Sequence, residues 1–322
     1  KAPGASVGSD VQEMKVTAAT DKPLGEDVAI GMIETENHLF SSELRYETHK
    51  ILLVKDIDES QLQKEREFFI SNFTKYFRSM AQKGHALSVR LPDFALGSIF
   101  EDADIAVLSR DLKIGEDEVK KRIGKYREAN QAIGTRGMRA YFLDNVAPLY
   151  INIATAALKV AMEDNTERGL NIILPFLVNA KEFEVIVEGY KTDKGKTVVP
   201  SLRQALEKIQ FQGADEIKNW REAMEKYQFL RIRFGAVMET AAACVTAKDL
   251  AKVADFLVFD AKKLTEDVWA AFETDAKQGF FDAYRTNGIW KNDIFNYTPK
   301  EAKRLMQEAI KAGREEKKDL EV

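Results

Sequence analysis

A helical spacing of large apolar side chains over residues 60–82 is the feature that most constrains how this chain folds. Seven such side chains recur at intervals that place them on one broad face of a helix. They are Leu62, Phe68, Phe69, Phe73, Tyr76, Phe77 and Met80. A helix with a face this apolar needs other elements to pack against, so the segment predicts a sizeable helical core.

Most of the remaining chain also favours helices. We expect them near 103–111, 116–131, 137–146, 148–163, 168–179, 201–210, 214–229 and 231–245, with further starts at Thr246, Thr265 and Thr298. Two segments favour extended structure instead. Tyr46–Val54 suits a strand, and the β-branched runs of Glu184–Val199 flank a turn and suit a β-hairpin. The fold class predicted from this pattern is mainly α, two-lobed, with a hairpin near 184–199.

Composition divides the 322 residues into four segments. Residues 1–30 are poor in large apolar side chains and predict a flexible N-terminal arm. Residues 31–183 form an expected N-terminal helical lobe with a central cationic segment, and 184–312 an expected C-terminal helical lobe. Residues 313–322 are a polar tail. Two lobes of this size agree with the length of the chain.

Cysteine content and hydropathy exclude several classes of protein. Cys244 is the single cysteine, so neither an intramolecular disulfide nor a cysteine-based zinc site can form. No run of 18 apolar residues exists, and the first ten residues lack the apolar segment of a secretory signal. These features predict a protein of the cytoplasm or of a virion, with no membrane partner.

Two segments approach known ligand-binding motifs without matching them. Gly195-Lys196-Thr197 is similar to the end of a phosphate-binding loop, but five residues rather than four separate Gly189 from Gly195. Asp56–Glu67 has the acidic ends of a calcium loop, but Gln61 stands where the sharp turn needs glycine. We therefore predict no cofactor and no metal ion, although the sequence does not exclude catalysis.

Residues 104–127 have the pattern of two short helices joined at a corner. The arrangement resembles a DNA-binding helix-turn-helix, with Gly115 near the turn. The second helix, however, begins with Glu116, Asp117 and Glu118, which phosphates would repel. A plain helical corner is therefore favoured over sequence-specific recognition of DNA.

The centre of the chain is strongly cationic although the whole chain carries a net charge of −4. Residues 119–143 contain seven basic side chains and a single acidic one, Glu128. Such an island attracts polyanions. Two interpretations stay open at this point: a groove that binds a polyanion, or a solvated helix face whose cations form local ion pairs, as Arg139 would with Asp144.

If the cationic segment is a groove, its chemistry suits single-stranded nucleic acid. Arginine binds phosphate through paired N–H groups, and tyrosine stacks on bases. Gly134 and Gly137 would interrupt the helix around Arg136. The candidate nucleic-acid-binding residues, including a second and weaker cluster, are Lys121, Arg122, Lys125, Tyr126, Arg136, Arg139, Tyr141, Arg231 and Arg233.

The leading functional hypothesis is a self-assembling structural protein that is not an enzyme. It would hold single-stranded RNA or DNA without sequence specificity, like a viral nucleocapsid or filament coat protein, and would form homo-oligomers through its N-terminal arm. Arg139–Asp144 resembles, over six residues, the Arg–aromatic–Asp element of flexuous plant-virus coat proteins. Two alternatives remain: a helical adaptor that binds other proteins, and an enzyme whose site is assembled from distant residues.

Overall fold

The structure is a computed structural model of the chain. It describes residues 18–20, 30–53, 59–81, 85–143, 146–163, 169–207, 209, 232–290 and 293–322. The chain forms two compact units. The larger unit takes in the described residues of 17–174 and 184–234, and the smaller unit those of 175–183 and 235–322.

A parallel sheet organises the larger unit. Four of its strands lie side by side in chain order: β1 (Ala18–Thr20), β2 (Ile30–Glu34), β3 (Leu87–Arg90) and β4 (Leu170–Leu174). Each strand is parallel to the next, and the last residues of β2 and β3, Glu34 and Arg90, are paired in register. Parallel strands require long crossovers, which helices supply here. The carboxyl ends of neighbouring strands therefore meet at one edge of the sheet.

A short hairpin and a second pair of parallel strands complete the described β-structure. The hairpin joins β5 (Tyr190–Lys191) to β6 (Thr197–Val199) in antiparallel order. The second parallel pair consists of β7 (Ile232–Met238) and β8 (Phe256–Phe259). Within the smaller unit, Gly235–Met238 of β7 pairs with the whole of β8.

Helices alternate with these strands along the chain. The first eight are α1 (Glu36–Leu39), α2 (Ser42–Leu53), α3 (Glu59–Met80), α4 (Asp104–Leu112), α5 (Glu116–Gly124), α6 (Ala147–Glu163), α7 (Ala180–Glu188) and α8 (Leu202–Glu207). The smaller unit adds α9 (Ala241–Val245), α10 (Ala247–Val253), α11 (Ala261–Val268), α12 (Glu273–Gln278), α13 (Phe281–Thr286) and α14 (Lys300–Glu316). Short 3-10 helices lie at Leu96–Ile99, Gly137–Phe142 and Ile294–Asn296.

The main packing of the larger unit joins α3 to α6. The apolar face of α3 buries Phe69, Phe73 and Phe77 completely, as its sequence spacing predicts. The helix α6 contains small buried residues of its own, among them Ala154 and Ala157. Complete burial of each phenylalanine contributes about 1.5–3 kcal/mol. The helix predicted from the apolar spacing is thus confirmed.

The prediction of a mainly α fold is wrong, because six parallel strands among the described residues were missed or assigned to helices. Leu170–Leu174, predicted within a helix over 168–179, is β4. Ile232–Met238, predicted within a helix over 231–245, is β7. Strands buried on both faces are short continuous apolar runs without the alternation that marks a half-exposed strand. Such runs are easily assigned to neighbouring helices.

The segments expected to be extended also need correction. Tyr46–Val54 was predicted as a strand, but its described residues belong to α2. The hairpin near 184–199 is smaller than predicted, because residues 184–188 end the helix α7. Phe183, Ile186 and Val187 are buried there with helical spacing. In the predicted flexible arm, β1 and Ile30 are strand residues, and the rest of the arm lies outside the described residues.

The helical corner predicted over 104–127 is confirmed. Helices α4 and α5 contact each other around Leu108, Val119 and Ile123, which are buried. Lys113 ends α4 in the left-handed conformation, and Gly115 lies at the N-cap of α5. The predicted segment boundaries 31–183, 184–312 and 313–322 stay a prediction. No helix among the described residues is both long enough and apolar enough to cross a membrane.

Gly235 should be intolerant of any side chain. A Cβ atom at this position in β7 would lie 2.3 Å from the ring of Phe256 in β8. We expect Gly235→Ala to lower the free energy of unfolding by about 1–3 kcal/mol through overpacking. Gly124→Ala, at the end of α5, is the matched control because its added Cβ would meet no atom within 4 Å beyond its chain neighbours and its own helix backbone. Urea unfolding measures both, and equal stability of the two variants would contradict the close packing.

His49 should make stability depend on pH. Burial lowers the pKa of this side chain from its ordinary 6.5, although its hydrogen bond to the Ile99 carbonyl and the nearby Asp104 raise it. Because the unfolded chain takes up the proton first, the unfolding free energy should fall as pH drops from about 7 through the folded pKa. His49→Gln should flatten this slope in urea unfolding at pH 5–8. The exposed His85→Gln is the control, and an unchanged slope in His49→Gln would contradict the assignment.

Candidate functional site

Charged residues meet at the carboxyl ends of β2 and β3. Ligands of parallel sheets bind outside the carboxyl ends of the strands, so a binding site is expected at this edge. Glu34 ends β2, Arg90 ends β3, and the two are paired in register. Glu36 follows two residues later as the first residue of α1. We call Glu34, Glu36 and Arg90 the Arg90 cluster.

The guanidinium of Arg90 is the centre of this cluster. Its side chain is 2% exposed, and its Nη2 atom lies 2.8 Å from Glu34 Oε1. The same Nη2 donates a hydrogen bond to Glu36 Oε1. A buried charge is tolerated only when oppositely charged or polar groups surround it. The two glutamates supply that environment, so that two carboxylates contact one guanidinium.

The backbone around the cluster is held by side-chain hydrogen bonds. Thr35 Oγ1 donates to the Arg90 carbonyl at 2.8 Å, which ties the end of β3 to the residue between the two glutamates. The Tyr76 hydroxyl of α3 donates to the Glu34 carbonyl at 3.3 Å. The position of Arg90 is therefore fixed by strand register and by the loop that enters α1. Any movement at this site is therefore expected to involve side-chain rotation rather than the backbone.

A second arginine of the larger unit is bound in a different way. Arg136 Nε and Nη2 donate to the two carboxylate oxygens of Asp93 at 2.9 and 2.8 Å. The Asp93 side chain is fully buried. Arg136 Nη1 also donates to the Ala132 carbonyl at 3.4 Å. Because the acid is inaccessible and the pairing is bidentate, this pair joins the residues after β3 to the segment before the 3-10 helix at 137–142.

Tyr150 strengthens the same junction from α6. Its hydroxyl contacts the carbonyls of Pro92 and Gly137, both at 3.2 Å. Burial raises the pKa of Tyr150 far above its ordinary value, and the negative charges of Asp93 and Glu36 raise it further. The raised pKa favours the protonated hydroxyl, which can donate to these carbonyls.

The predicted nucleic-acid-binding residues on α5 and just after it contact Glu118 on the same helix and carbonyls at the end of α2. Arg122 donates to Glu118 at 2.9 Å and to the Leu53 carbonyl at 2.7 Å. The Tyr126 hydroxyl donates to the Leu52 carbonyl at 2.7 Å. Lys121 is exposed, with its Nζ 4.0 Å from Glu118, and Lys125 is also exposed.

The other predicted residues are spread over several elements. Arg139 donates to the Ile133 and Gly134 carbonyls, and buried Tyr141 donates to the Pro200 carbonyl at 3.0 Å. Arg233 is half-buried on β7, and Arg231 lies outside the described residues. The structure thus gives Arg122, Tyr126, Arg136, Arg139 and Tyr141 intramolecular partners. The binding of nucleic acid by the nine predicted residues stays a prediction.

Sequence analysis missed the Arg90 cluster and Asp93. A signal was available, because Ile30–Glu34 and Leu87–Arg90 are short runs that are rich in apolar residues and end in a charge. In a parallel sheet such an end marks the edge where ligands bind. The signal was not recognised because neither run was predicted as a strand.

The smaller unit has a buried carboxylate of its own. Glu239, directly after β7, accepts a hydrogen bond from the Phe176 N–H at 2.6 Å, and its Oε2 lies 3.1 Å from Lys263 Nζ. Phe176 has a φ of +57°, which is unusual for a bulky residue. Thr240 Oγ1 adds a bond to the Leu177 carbonyl at 3.2 Å. These contacts hold the 175–178 segment in a strained conformation, which is a structural role.

The comparisons with known proteins point to enzymes. No protein-family model matches the chain. It is 25% identical to pyruvate, phosphate dikinase 2 of Oryza sativa subsp. japonica over 97% of the chain, and 24% identical to pyruvate, phosphate dikinase of Clostridium symbiosum over 90% of the chain. The dikinase of Treponema pallidum is 23% identical over 97% of the chain. The alignments cover 34%, 31% and 35% of these relatives, so the chain spans about a third of their length.

Among solved structures, the crystal structure of the citrate synthase SbnG aligns with 52% of this chain and with 60% of its own chain. The alignment has 12% identity and a TM-score of 0.29.

The relatives overturn the leading functional hypothesis. A nucleocapsid, capsid or filament coat protein with no enzymatic activity is wrong, because the similar proteins are dikinases. The relatives point instead to an enzyme-related fold. The hypothesis had relied on the net charge of the cationic island, several of whose cations have partners within the fold. The RNA or DNA partner and the homo-oligomer built by the arm stay predictions.

Arg136 should be needed for stability. Arg136→Gln removes the charge partner of the fully buried Asp93 and should lower the free energy of unfolding by about 3–5 kcal/mol. Arg127→Gln is the matched control, because Arg127 pairs with Asp102 at 2.9 Å with both side chains exposed. That change should cost less than about 1 kcal/mol. Urea unfolding separates the two, and equal losses would contradict the structural role of Arg136.

Proposed function

We propose that this chain is part of an enzyme related to pyruvate, phosphate dikinases, and that its Arg90 cluster binds the carboxylate of pyruvate. The observation that carries the proposal is the buried guanidinium of Arg90 at the carboxyl end of a parallel strand. The similarity to dikinases over 90–97% of the chain supports the choice of pyruvate as the ligand.

The chemistry of Arg90 suits this ligand. A guanidinium presents parallel N–H groups that match the two oxygens of a carboxylate. A lysine at the same place would offer a point charge without this geometry. Burial also strengthens the attraction, because charges interact more strongly away from water. Since register and the Thr35 hydrogen bond fix the strand end, the arginine would hold a carboxylate in one orientation.

Arg136 is a weaker candidate for the same role. Its Nε and Nη2 atoms are already bound in bidentate fashion to a carboxylate that is fully buried. An incoming ligand would have to displace Asp93 from the interior. Arg90 instead pairs with Glu34, whose side chain is 28% exposed. A ligand can reach a guanidinium far more easily when the carboxylate that it must displace can move into solvent.

The proposal covers binding of one substrate by this chain. Because the chain spans about a third of its relatives' length, phosphoryl transfer is proposed only for the complete protein. The described residues bring no group of three His, Cys, Asp or Glu side chains together as a metal site, and the proposal assigns none to a metal ion. The proposal includes a cytoplasmic location, supported by the single, buried Cys244.

Calorimetric titration with pyruvate tests this function. The parent chain should bind pyruvate, and Arg90→Lys should weaken binding by about tenfold or more, because the charge stays but a charged hydrogen-bond pair is lost. Arg127→Lys, at an exposed ion pair, should leave the affinity unchanged. Circular dichroism checks that each variant is folded.

Inorganic phosphate is titrated in a parallel experiment. Tighter binding of phosphate than of pyruvate would show that the site recognises phosphate, against the proposal. The proposal also fails if the folded parent chain binds no pyruvate, or if Arg90→Lys binds it as the parent does.

A further inference from the structure

We infer that Glu34 is an internal competitor for the substrate carboxylate at Arg90. The inference rests on the proposed function and adds a residue that sets the affinity of the site. In the structure the Glu34 carboxylate lies 2.8 Å from Arg90 Nη2, and a ligand carboxylate that pairs with this nitrogen would compete with it. Binding of substrate therefore requires the Glu34 side chain to leave.

Charge balance makes displacement necessary. The cluster already holds two carboxylates, those of Glu34 and Glu36, on the same Nη2 atom of a single buried guanidinium. A third carboxylate would add like charge in a poorly hydrated place, where repulsion is strong. The stable alternative is exchange, in which one resident carboxylate moves into water as the ligand carboxylate arrives.

Exposure decides which of the two carboxylates exchanges. The Glu34 side chain is 28% exposed, whereas that of Glu36 is 13% exposed. Glu36 also follows Thr35, whose hydroxyl is bonded to the Arg90 carbonyl, so its backbone is tied to β3. The Glu34 side chain is closer to solvent, so its carboxylate can be hydrated more readily when it leaves Arg90. Glu36 then stays as the permanent counter-ion of Arg90.

Exchange needs no movement of the sheet. The backbone of Glu34 is fixed by its register with Arg90 and by the Tyr76 hydroxyl that donates to its carbonyl. Rotation about the side-chain bonds of Glu34 is sufficient to break its contact with Arg90 and to make the guanidinium available to a ligand. The apparent affinity for substrate is then the intrinsic affinity reduced by the fraction of molecules in which Glu34 has left. A side chain that cannot hold Arg90 should remove this penalty.

Two substitutions at position 34 distinguish two effects of Glu34 on pyruvate binding: its occupancy of Arg90 and its negative charge. Glu34→Gln removes the charge and weakens the contact with Arg90. Glu34→Asp keeps the charge but shortens the side chain by one methylene, so the carboxylate is withdrawn from the guanidinium. Both should bind pyruvate more tightly than the parent chain, Glu34→Gln by about tenfold, within the usual range of coupling between two equilibria. Glu188→Gln is the matched control, because Glu188 forms an exposed ion pair with Arg203 at 2.9 Å.

Calorimetric titration of the full chain with pyruvate gives the answer, after circular dichroism has shown that each variant is folded. Tighter binding by both position-34 variants, with Glu188→Gln equal to the parent, supports the inference. Tighter binding by Glu34→Gln alone overturns it, because charge rather than occupancy would then set the affinity. Unchanged or weaker binding by both variants also overturns it, and the proposed function stands if the parent still binds and Arg90→Lys does not. If no folded variant binds pyruvate, the proposed function fails as well.

Discussion

The burial of one positive charge at the end of β3 is the constraint on which the functional edge of the larger unit depends. A guanidinium that is 2% exposed requires carboxylates close by, and the chain supplies them from two neighbouring places. Glu34 is placed by the parallel register of β2 with β3, and Glu36 by the turn into α1. A slip of one residue in this register would turn Glu34 to the other face of the sheet and leave Arg90 without that partner. The ion pair and the strand pairing therefore support each other.

Two arginines of the larger unit show how accessibility separates structural from functional chemistry. Arg136 and Arg90 have the same side chain and both pair with acids. Asp93 is fully buried and binds Arg136 through both of its oxygens, which makes that pair a fixed connection between segments. Glu34 retains access to solvent, so its pair with Arg90 can exchange with another carboxylate. Net charge and residue type do not distinguish these two situations, whereas burial of the acid does.

The difference between structural and accessible charges also applies to the cationic segment, which suggested a nucleocapsid-like function that the relatives contradict. Residues 119–143 contain seven basic side chains and one acidic side chain, so the sequence alone gives this segment a strong positive charge. In the fold, Arg122 binds Glu118 and a carbonyl of α2, and Arg139 binds two carbonyls that precede its own 3-10 helix. These two arginines therefore stabilise contacts within the fold: Arg122 links α5 to the end of α2, and Arg139 links its 3-10 helix to the preceding loop. Their partners come from backbone carbonyls and from acids elsewhere, which a count of charges in one segment leaves out.

The sequence by itself determined the elements whose signal is local. The apolar spacing of α3 and the corner between α4 and α5 follow from side chains that lie within one or two turns of each other. Tertiary structure alone decided that Leu170–Leu174 and Ile232–Met238 are strands, because a short apolar run becomes a parallel strand only when neighbours cover both of its faces. It also decided the site. Glu34 and Arg90 are 56 positions apart, and only the register of two strands joined by a helical crossover places one carboxylate against one guanidinium.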